Sequence, residues 1–339
     1  MFRINSTQPL EIQVTRGNYP ESVHFVDIVV LDAEGKMVQS YGDPEKLYFS
    51  RSAIKPIQAM SLVLSGAVKK KSLTEKEICL ACASHLGERI HTDCVSAWMS
   101  KVGLKESDLV CGAHDPFAPE RYKEMIKAEE KPTKFHNNCS GKHTGMLTTC
   151  LQLGFKTAFY ERYDHPLQIR LREQLSRYMG VDFSKAPWGI DGCGIPTYAT
   201  PLKSFAEGMR LFLRTDLSSE EKDSAKVILK SIFAEPDYIS GSQGFCSDVI
   251  RTSGDQVMVK VGAEGVYCGI ALSSGISFAL KSRDGVFRSV EAALLYLLGT
   301  SKSLSVAQIQ QIQNKHTPLI RNWAGLEVGK VLVKAPESH

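Results

Sequence analysis

The chain has 339 residues, with 41 Lys and Arg against 37 Asp and Glu for a formal net charge of +4, and 43% of its residues are hydrophobic. A balance this mild excludes nucleic acid as the expected partner, and the short basic run Lys69-Lys70-Lys71 reads as a solvated turn. No stretch approaches the roughly 18 apolar residues of a membrane span, the opening MFRINSTQPLEIQ has no signal-peptide core, and nine scattered cysteines argue against a disulfide framework, so the sequence predicts a soluble cytoplasmic protein.

Taken in chain order, EIQVTRG alternates, VHFVDIVVLD runs apolar, and the turn AEGK leads into MVQSY, which reads as a strand followed by a hairpin. From Ser52 to about Gly154 the pattern becomes mostly helical. TEKEICLACASH opens with Thr74 and Glu77 at capping-box spacing, and HTDCVSAWMSKVG ends on Gly103. A polar stretch from Asp115 to Phe135 leads into HNNCSGKHTGMLTTCLQLG, whose second half reads as a helix closed by Gly154. HPLQIRLREQLSRYMG carries Pro166 in its first turn, and SSEEKDSAKVILKSIF is acidic at its start, both helix-opening signals. The period then changes to two. DQVMVKVG, GVYCGIAL and ISFALKSRDGVFRS read as antiparallel strands, the last closing at Arg283-Asp284-Gly285, and SVEAALLYLLG returns as a helix. Strands at both ends of a helical middle predict an α+β fold: N- and C-terminal strands share one antiparallel sheet around a helical subdomain, in a single domain over 1–339.

Three segments carry serine and lysine in suggestive places. In FSRSAIKPIQ, Pro56 is tolerated only in a first helical turn, so the helix must begin within a few residues of Ser52. Ser52 then sits at a helix N-terminus, where the dipole favours negative charge, and Lys55 lies over the same face. A serine hydroxyl becomes a nucleophile when a neighbouring base takes its proton, and a lysine is such a base once desolvation lowers its pKa. The bland alternative is a helix cap beside an exposed lysine. CASHLGERIH ends an apolar helix on Ser84 and His85, a plausible cleft wall, though alone only a helix end. VKVGAEG puts Lys260 on an alternating strand, a pattern that by itself places a lysine on the solvent face. The order Ser-x-x-Lys, second serine, Lys-x-Gly is that of serine β-lactamases and penicillin-binding proteins, but Ser-Asp-Asn is missing and Lys-Thr-Gly reads Lys260-Val261-Gly262.

HNNCSGKHTG fails as a phosphate-binding loop, because His136 stands where its first glycine belongs and His143 at the Ser/Thr position. What remains is a polar turn with Cys139, Lys142 and His143 together. Cys193 lies between glycines in WGIDGCGIPTYATPL, beside Asp191, and both thiols read as exposed-loop cysteines rather than core. Two thiolates brought together suit a zinc ion with a third protein ligand, for which spacing favours His143 and makes Lys142 the unusual choice; the alternative is free thiols in buried turns. Cys79-x-x-Cys82 lies inside an apolar helix and reads as packing.

Together SRSAIKPIQ, CASHLGE, NNCSGKHTGML, DGCGIPTYATPL and KVGAEGV resemble the Rhizobium-type L-asparaginase II family over most of the chain. The resemblance implies a fold similar to serine β-lactamases and glutaminases, a homodimer, and hydrolysis of L-asparagine to L-aspartate and ammonia. It implies two Ser-Lys tandems, Ser52 with Lys55 as nucleophile and base and Ser84 with Lys260 as assistants. It also implies Zn2+ held by Cys139, Lys142 and Cys193 to position the substrate. From position, Arg51 is expected to clamp a substrate carboxylate, Asp191 to hold its ammonium or orient the metal ligands, and His143 to support them. SGSQGFCSDVI departs from the family's Gly-x-Gly-Arg-like loop and leaves Cys246 as an exposed thiol without a role. Glutaminase or β-lactam hydrolysis on the same scaffold, or zinc-dependent amino-acid binding without turnover, are the alternatives.

Overall fold

The structure, a computed structural model, describes residues 4–316 and 319–336. The chain forms two compact units, each assembled from separated segments.

The first unit comprises Met1–Ala53, Thr200–Arg214 and Val249–His339. Its eight-stranded sheet runs in the order Ile4–Ser6, Met37–Tyr41, Tyr19–Asp32, Ile276–Ser282, Val266–Ala271, Val257–Gly262. Strand Leu10–Arg16 pairs with the first half of Tyr19–Asp32 and with Val331–Lys334. The junction of the two chain ends is the antiparallel register from Asp32↔Ile276 to Val26↔Ser282, so N- and C-terminal strands do share one sheet. All these pairs are antiparallel except Ile4–Ser6 beside Met37–Tyr41. Helices Leu202–Met209 and Phe287–Thr300 pack on Ile276–Ser282, every residue of which is buried. Strand Val257–Gly262 is buried at nearly every position too, so Lys260, read from its alternation as solvent-facing, is 0% exposed. A covered sheet buries both faces and the two-residue period stops marking which face is wet.

The second unit, Ile54–Ala199 with Thr215–Asp248, is largely helical. Its centre is helix Glu75–Cys82, buried from Glu77 onward and packed by Lys55–Leu64, Arg89–Lys101, Ser140–Leu153 and Ser219–Ala234. The capping box forms: Thr74 N–H donates to Glu77 Oε2 at 2.6 Å while Glu77 N–H returns to Thr74 Oγ1 at 3.5 Å. Cys79 and Cys82 are core, their thiols donating to the Glu235 and Ile78 carbonyls. Gly141 is required by packing rather than by any ligand, since a Cβ there would stand 2.3 Å from the Leu80 carbonyl oxygen. Gly145, one turn on, faces Ala81 less tightly, a Cβ there standing 3.3 Å from the Ala81 Cβ. The expectation for Cys246 is corrected: it lies in helix Phe245–Ser253 and is buried, because the apolar residues after Gly244 continue as a helix instead of a loop. No helix among the described residues is long and apolar enough to cross a membrane.

Candidate active site

Helix Lys55–Leu64 opens on Lys55 with Pro56 in its first turn. Lys55 is 1% exposed, and its ammonium donates to the Ala83 carbonyl, to Ser84 Oγ at 3.0 Å and to Cys139 Sγ at 3.2 Å. An ammonium has three protons to give and all three are placed, on a carbonyl, a hydroxyl and a sulfur. Ser84 reaches it because the chain leaves helix Glu75–Cys82 at Ala83 in extended conformation, and Ser84 N–H donates to the Ile239 carbonyl at 3.0 Å. His85 fastens this loop to the next motif. Its Nδ1 accepts from Gly87 N–H at 3.2 Å, so its proton stands on Nε2 and goes to Ser140 Oγ at 2.9 Å, which donates onward to the Phe135 carbonyl. Burial first, then the neighbouring His91 and Lys55, hold the His85 imidazole well below its ordinary pKa.

Cys139 caps helix Ser140–Leu153, its N–H taken by Asn137 Oδ1 at 2.9 Å, and Lys142 follows within the first turn. Cys193 lies in the hairpin turn between Trp188–Ile190 and Pro196–Pro201. Asp191 N–H to the Ile195 carbonyl and Gly194 N–H to the Asp191 carbonyl, both 2.8 Å, close that turn, and Gly194 takes φ +94°, which favours glycine. Lys142 Nζ is 2.9 Å from Cys193 Sγ, and Asp191 Oδ2 is 4.0 Å from the same sulfur. The Cys139 thiol hydrogen-bonds Cys193, which brings the Cys193 pKa down to about 5 against burial, with the Lys142 charge helping. The same donated bond, and burial, push Cys139 up to about 11. Burial alone would lower the Lys142 ammonium, but the two sulfurs hold it up. The cluster therefore carries a thiolate, a thiol and an ammonium, all buried despite lying in turns, which corrects the expectation of exposed thiols.

Two sulfurs and an amine are a donor set that fits a soft divalent ion, provided Cys139 and Lys142 give up their protons. It is an unconventional set: among the described residues no group of three or more His, Cys, Asp or Glu side chains is arranged to hold a metal. Lys142, not His143, faces Cys193. His143 instead turns Nδ1 to the Tyr160 hydroxyl at 2.6 Å.

In the first unit, Ser52 lies in the 3-10 turn Arg51–Ile54, with Arg51 in the left-handed region at φ +49°. That turn rests on strand Val257–Gly262. A Cβ on Gly262 would stand 2.8 Å from the Ser50 carbonyl oxygen and 3.0 Å from Ala53 N. Lys260, two residues earlier, projects from the same strand face, and its ammonium donates to the Val261 carbonyl at 2.6 Å. The structure thus brings Lys55, Ser84 and Cys139 together, brings Lys142 and Cys193 together with Asp191 near, and sets the Ser52 turn on the strand of Lys260. Ser84, paired with Lys260 by resemblance, accepts a hydrogen bond from Lys55. Sequence reading missed the Ala83 carbonyl, Ser140 and Tyr160, for which no local pattern exists.

A family profile described as L-asparaginase II matches residues 12–333, across both compact units. A search of curated proteins gives no significant match. Among solved structures, a β-lactamase from Sphaerobacter thermophilus is 11% identical, covering 83% of this chain and 93% of that one, with a TM-score of 0.43. A β-lactamase from Mycobacterium bovis is 13% identical over 82% and 95%, TM-score 0.42. Mglu is 12% identical over 83% of this chain and 62% of its own, TM-score 0.46. At such identities and TM-scores these neighbours say nothing about chemistry.

Proposed function

Since this chain belongs to the L-asparaginase II family, and is on that ground an amide hydrolase, we propose that it cleaves the side-chain amide of L-asparagine into L-aspartate and ammonia through Ser52. The observation that carries the reading is the buried Lys55 ammonium, hydrogen-bonded at 3.0 Å to the Ser84 hydroxyl and three residues along the chain from Ser52. Lys55 in its neutral form takes the Ser52 proton, Ser52 Oγ bonds to the amide carbon, and the C–N bond breaks with ammonia carrying the proton away. Water then adds to the ester, its proton passing back through Ser84 and Lys55, and aspartate leaves. Lys260, on the strand under the Ser52 turn, supports the second proton transfer. Arg51 takes a substrate carboxylate and Asp191 its ammonium.

Zn2+ held by Cys139, Lys142 and Cys193 would supply a fixed positive centre that orients the substrate. His143 and Asp191 flank those ligands. None of the nine cysteines is joined in a disulfide, which suits a reducing cytoplasm, and the enzyme is proposed to act there as a homodimer on free amino acid.

The test is ammonia release from L-asparagine, L-glutamine and a penicillin, by wild type and Ser52→Ala, with and without a chelator. Asparagine turnover lost by more than about a thousandfold in Ser52→Ala is expected, and full activity in that variant ends the proposal. Glutamine differs by one methylene, which a pocket discriminates by only about 1–3 kcal/mol, so weaker glutaminase activity is expected. The chelator should raise KM more than it lowers kcat. Thermal stabilisation by asparagine without ammonia would indicate a binding protein instead. A second reading, favoured by the Lys55–Ser84 hydrogen bond, makes Ser84 the acylated residue. Mass spectrometry of the trapped acyl-enzyme, locating the adduct on the peptide of Ser52 or of Ser84, separates the two.

A further inference from the structure

One of the fully buried nitrogens in the second unit has no hydrogen-bond partner among the described residues. His143, in helix Ser140–Leu153, is 0% exposed, and so is Tyr160, whose ring meets it edge-on at 5.6 Å and 76°. The Tyr160 hydroxyl oxygen accepts from Val110 N–H at 3.2 Å. The phenol has one proton to give and no acceptor for it among the described residues but His143 Nδ1 at 2.6 Å, so the proton goes there. Nδ1 is therefore an acceptor, and the single proton of the neutral ring stands on Nε2. Nε2 is buried without a hydrogen-bond partner among the described residues.

Buried N–H groups are nearly always matched, and an unmatched one points to a group that arrives later. Lys142, Cys139, Lys55 and Asp191, groups already assigned to the amide site, lie near enough for their charges to act on the ring. Two of these are lysines with protons to donate and cannot accept one while charged. We propose that Tyr160 is a positioning residue that fixes His143 as an Nε2–H donor to an oxygen of the bound amide substrate. The inference rests on the amide-hydrolase reading above and adds to it a residue that neither spacing nor composition marks. The phenol proton, with Nδ1 as its acceptor among the described residues, sets the direction of this chain of bonds.

The test uses the full-length protein. Nitrogen-15 NMR of histidine-labelled protein, with His143 assigned by its loss in His143→Gln, should show an Nε2–H tautomer whose signal moves on adding L-aspartate. An Nδ1–H tautomer overturns the proposal, and so does an Nε2–H signal unmoved by saturating aspartate, the result expected if only water fills the place. In kinetics, Tyr160→Phe should lower kcat/KM about tenfold or more with little change in the thermal melt. His143→Gln keeps an amide N–H near the Nε2 position and needs no tautomer control, so it should stay within about tenfold of wild type while His143→Leu loses about a hundredfold. Adding Tyr160→Phe to His143→Gln should then cost nothing more. An equal loss in both backgrounds makes Tyr160 merely structural and refutes the inference. Wild type that releases no ammonia from asparagine faults the substrate reading instead, and the tautomer measured by NMR still decides this one.

Discussion

Asp27 in the first unit and Lys55 in the second are both buried charged side chains, at 0% and 1% exposure, and they are settled by different kinds of neighbour. Asp27 takes Arg283 through Nε at 3.1 Å and Nη2 at 2.8 Å, and accepts the Tyr48 phenol as well. Burial and that carboxylate push the Tyr48 pKa up, so the phenol keeps its proton on Asp27. Even the backbone yields to the pair: Gly42, at φ +79°, leaves room that a Cβ would take from Asp27 Oδ1. Lys55 has a carbonyl, a hydroxyl and a thiol around it, each able to accept a hydrogen bond and none bringing an opposite full charge. A matched ion pair has nothing left to do but hold the sheet together. A lysine held by hydrogen bonds alone, with no opposite charge to fix its proton, is the kind of group that can serve as the base of the proposed reaction.

The largest expected effect tests the second half of that contrast. Lys55→Met replaces a buried cation with an apolar side chain of similar length, so activity should fall about a thousandfold or more while the thermal melt holds or rises. Ammonia release and a melting curve on the same sample check it. Asp27→Ala tests the first half. It leaves Arg283 and Tyr48 facing an empty site, and urea unfolding should show a loss of about 3 kcal/mol, the low end of the range because Arg283 remains partly wet. Should Lys55→Met unfold the protein as readily as Asp27→Ala does, the distinction between structural and chemical charge is wrong.

Much of the fold was legible because its signals are local. Pro56 announced a helix start, Thr74 and Glu77 a capping box, and Gly154 at φ +71° a helix end, and each element forms where its end signal stands. The shared sheet was legible from period-two strands at both chain ends. The polar interior was harder. Periodicity marks an apolar face but not which polar groups meet across it, so the partnership of Lys55 with Ser84, on separate elements 29 residues apart, has no local sign. Lys260 was hidden by the opposite failure, since its alternating strand is covered on both faces. Gly141 looked like part of a phosphate loop and is instead the point where two helix backbones approach. Tyr160 stands in an undistinguished stretch, and only its hydrogen bonds to Val110 and His143 single it out.

Glu291 gives the smallest effect and sharpens the contrast most. It is a half-buried carboxyl in the first unit, on helix Phe287–Thr300, hydrogen-bonded among the described residues to one neutral group, the Tyr267 hydroxyl at 2.9 Å. It therefore resembles Lys55 in its neighbours and Asp27 in its place. Burial raises its pKa from 4.5 to about 7, with the Tyr267 hydrogen bond opposing, so near neutrality the unmatched charge begins to be quenched by protonation instead of being used. A folded-state pKa above the unfolded one means that the folded protein binds the extra proton. The stability this contributes is complete below about pH 4.5 and is lost as pH rises through about 7. Between pH 5 and pH 8 wild type should lose on the order of 3 kcal/mol that Glu291→Gln, which keeps an acceptor for Tyr267, does not. Urea midpoints of both proteins at the two pH values isolate the term, because every other titrating group is common to them. Parallel pH dependence in the two proteins would show that Glu291 is already ionised in the fold, and that a half-buried charge beside a hydroxyl can stand at neutral pH without either a counterion or a reaction to serve.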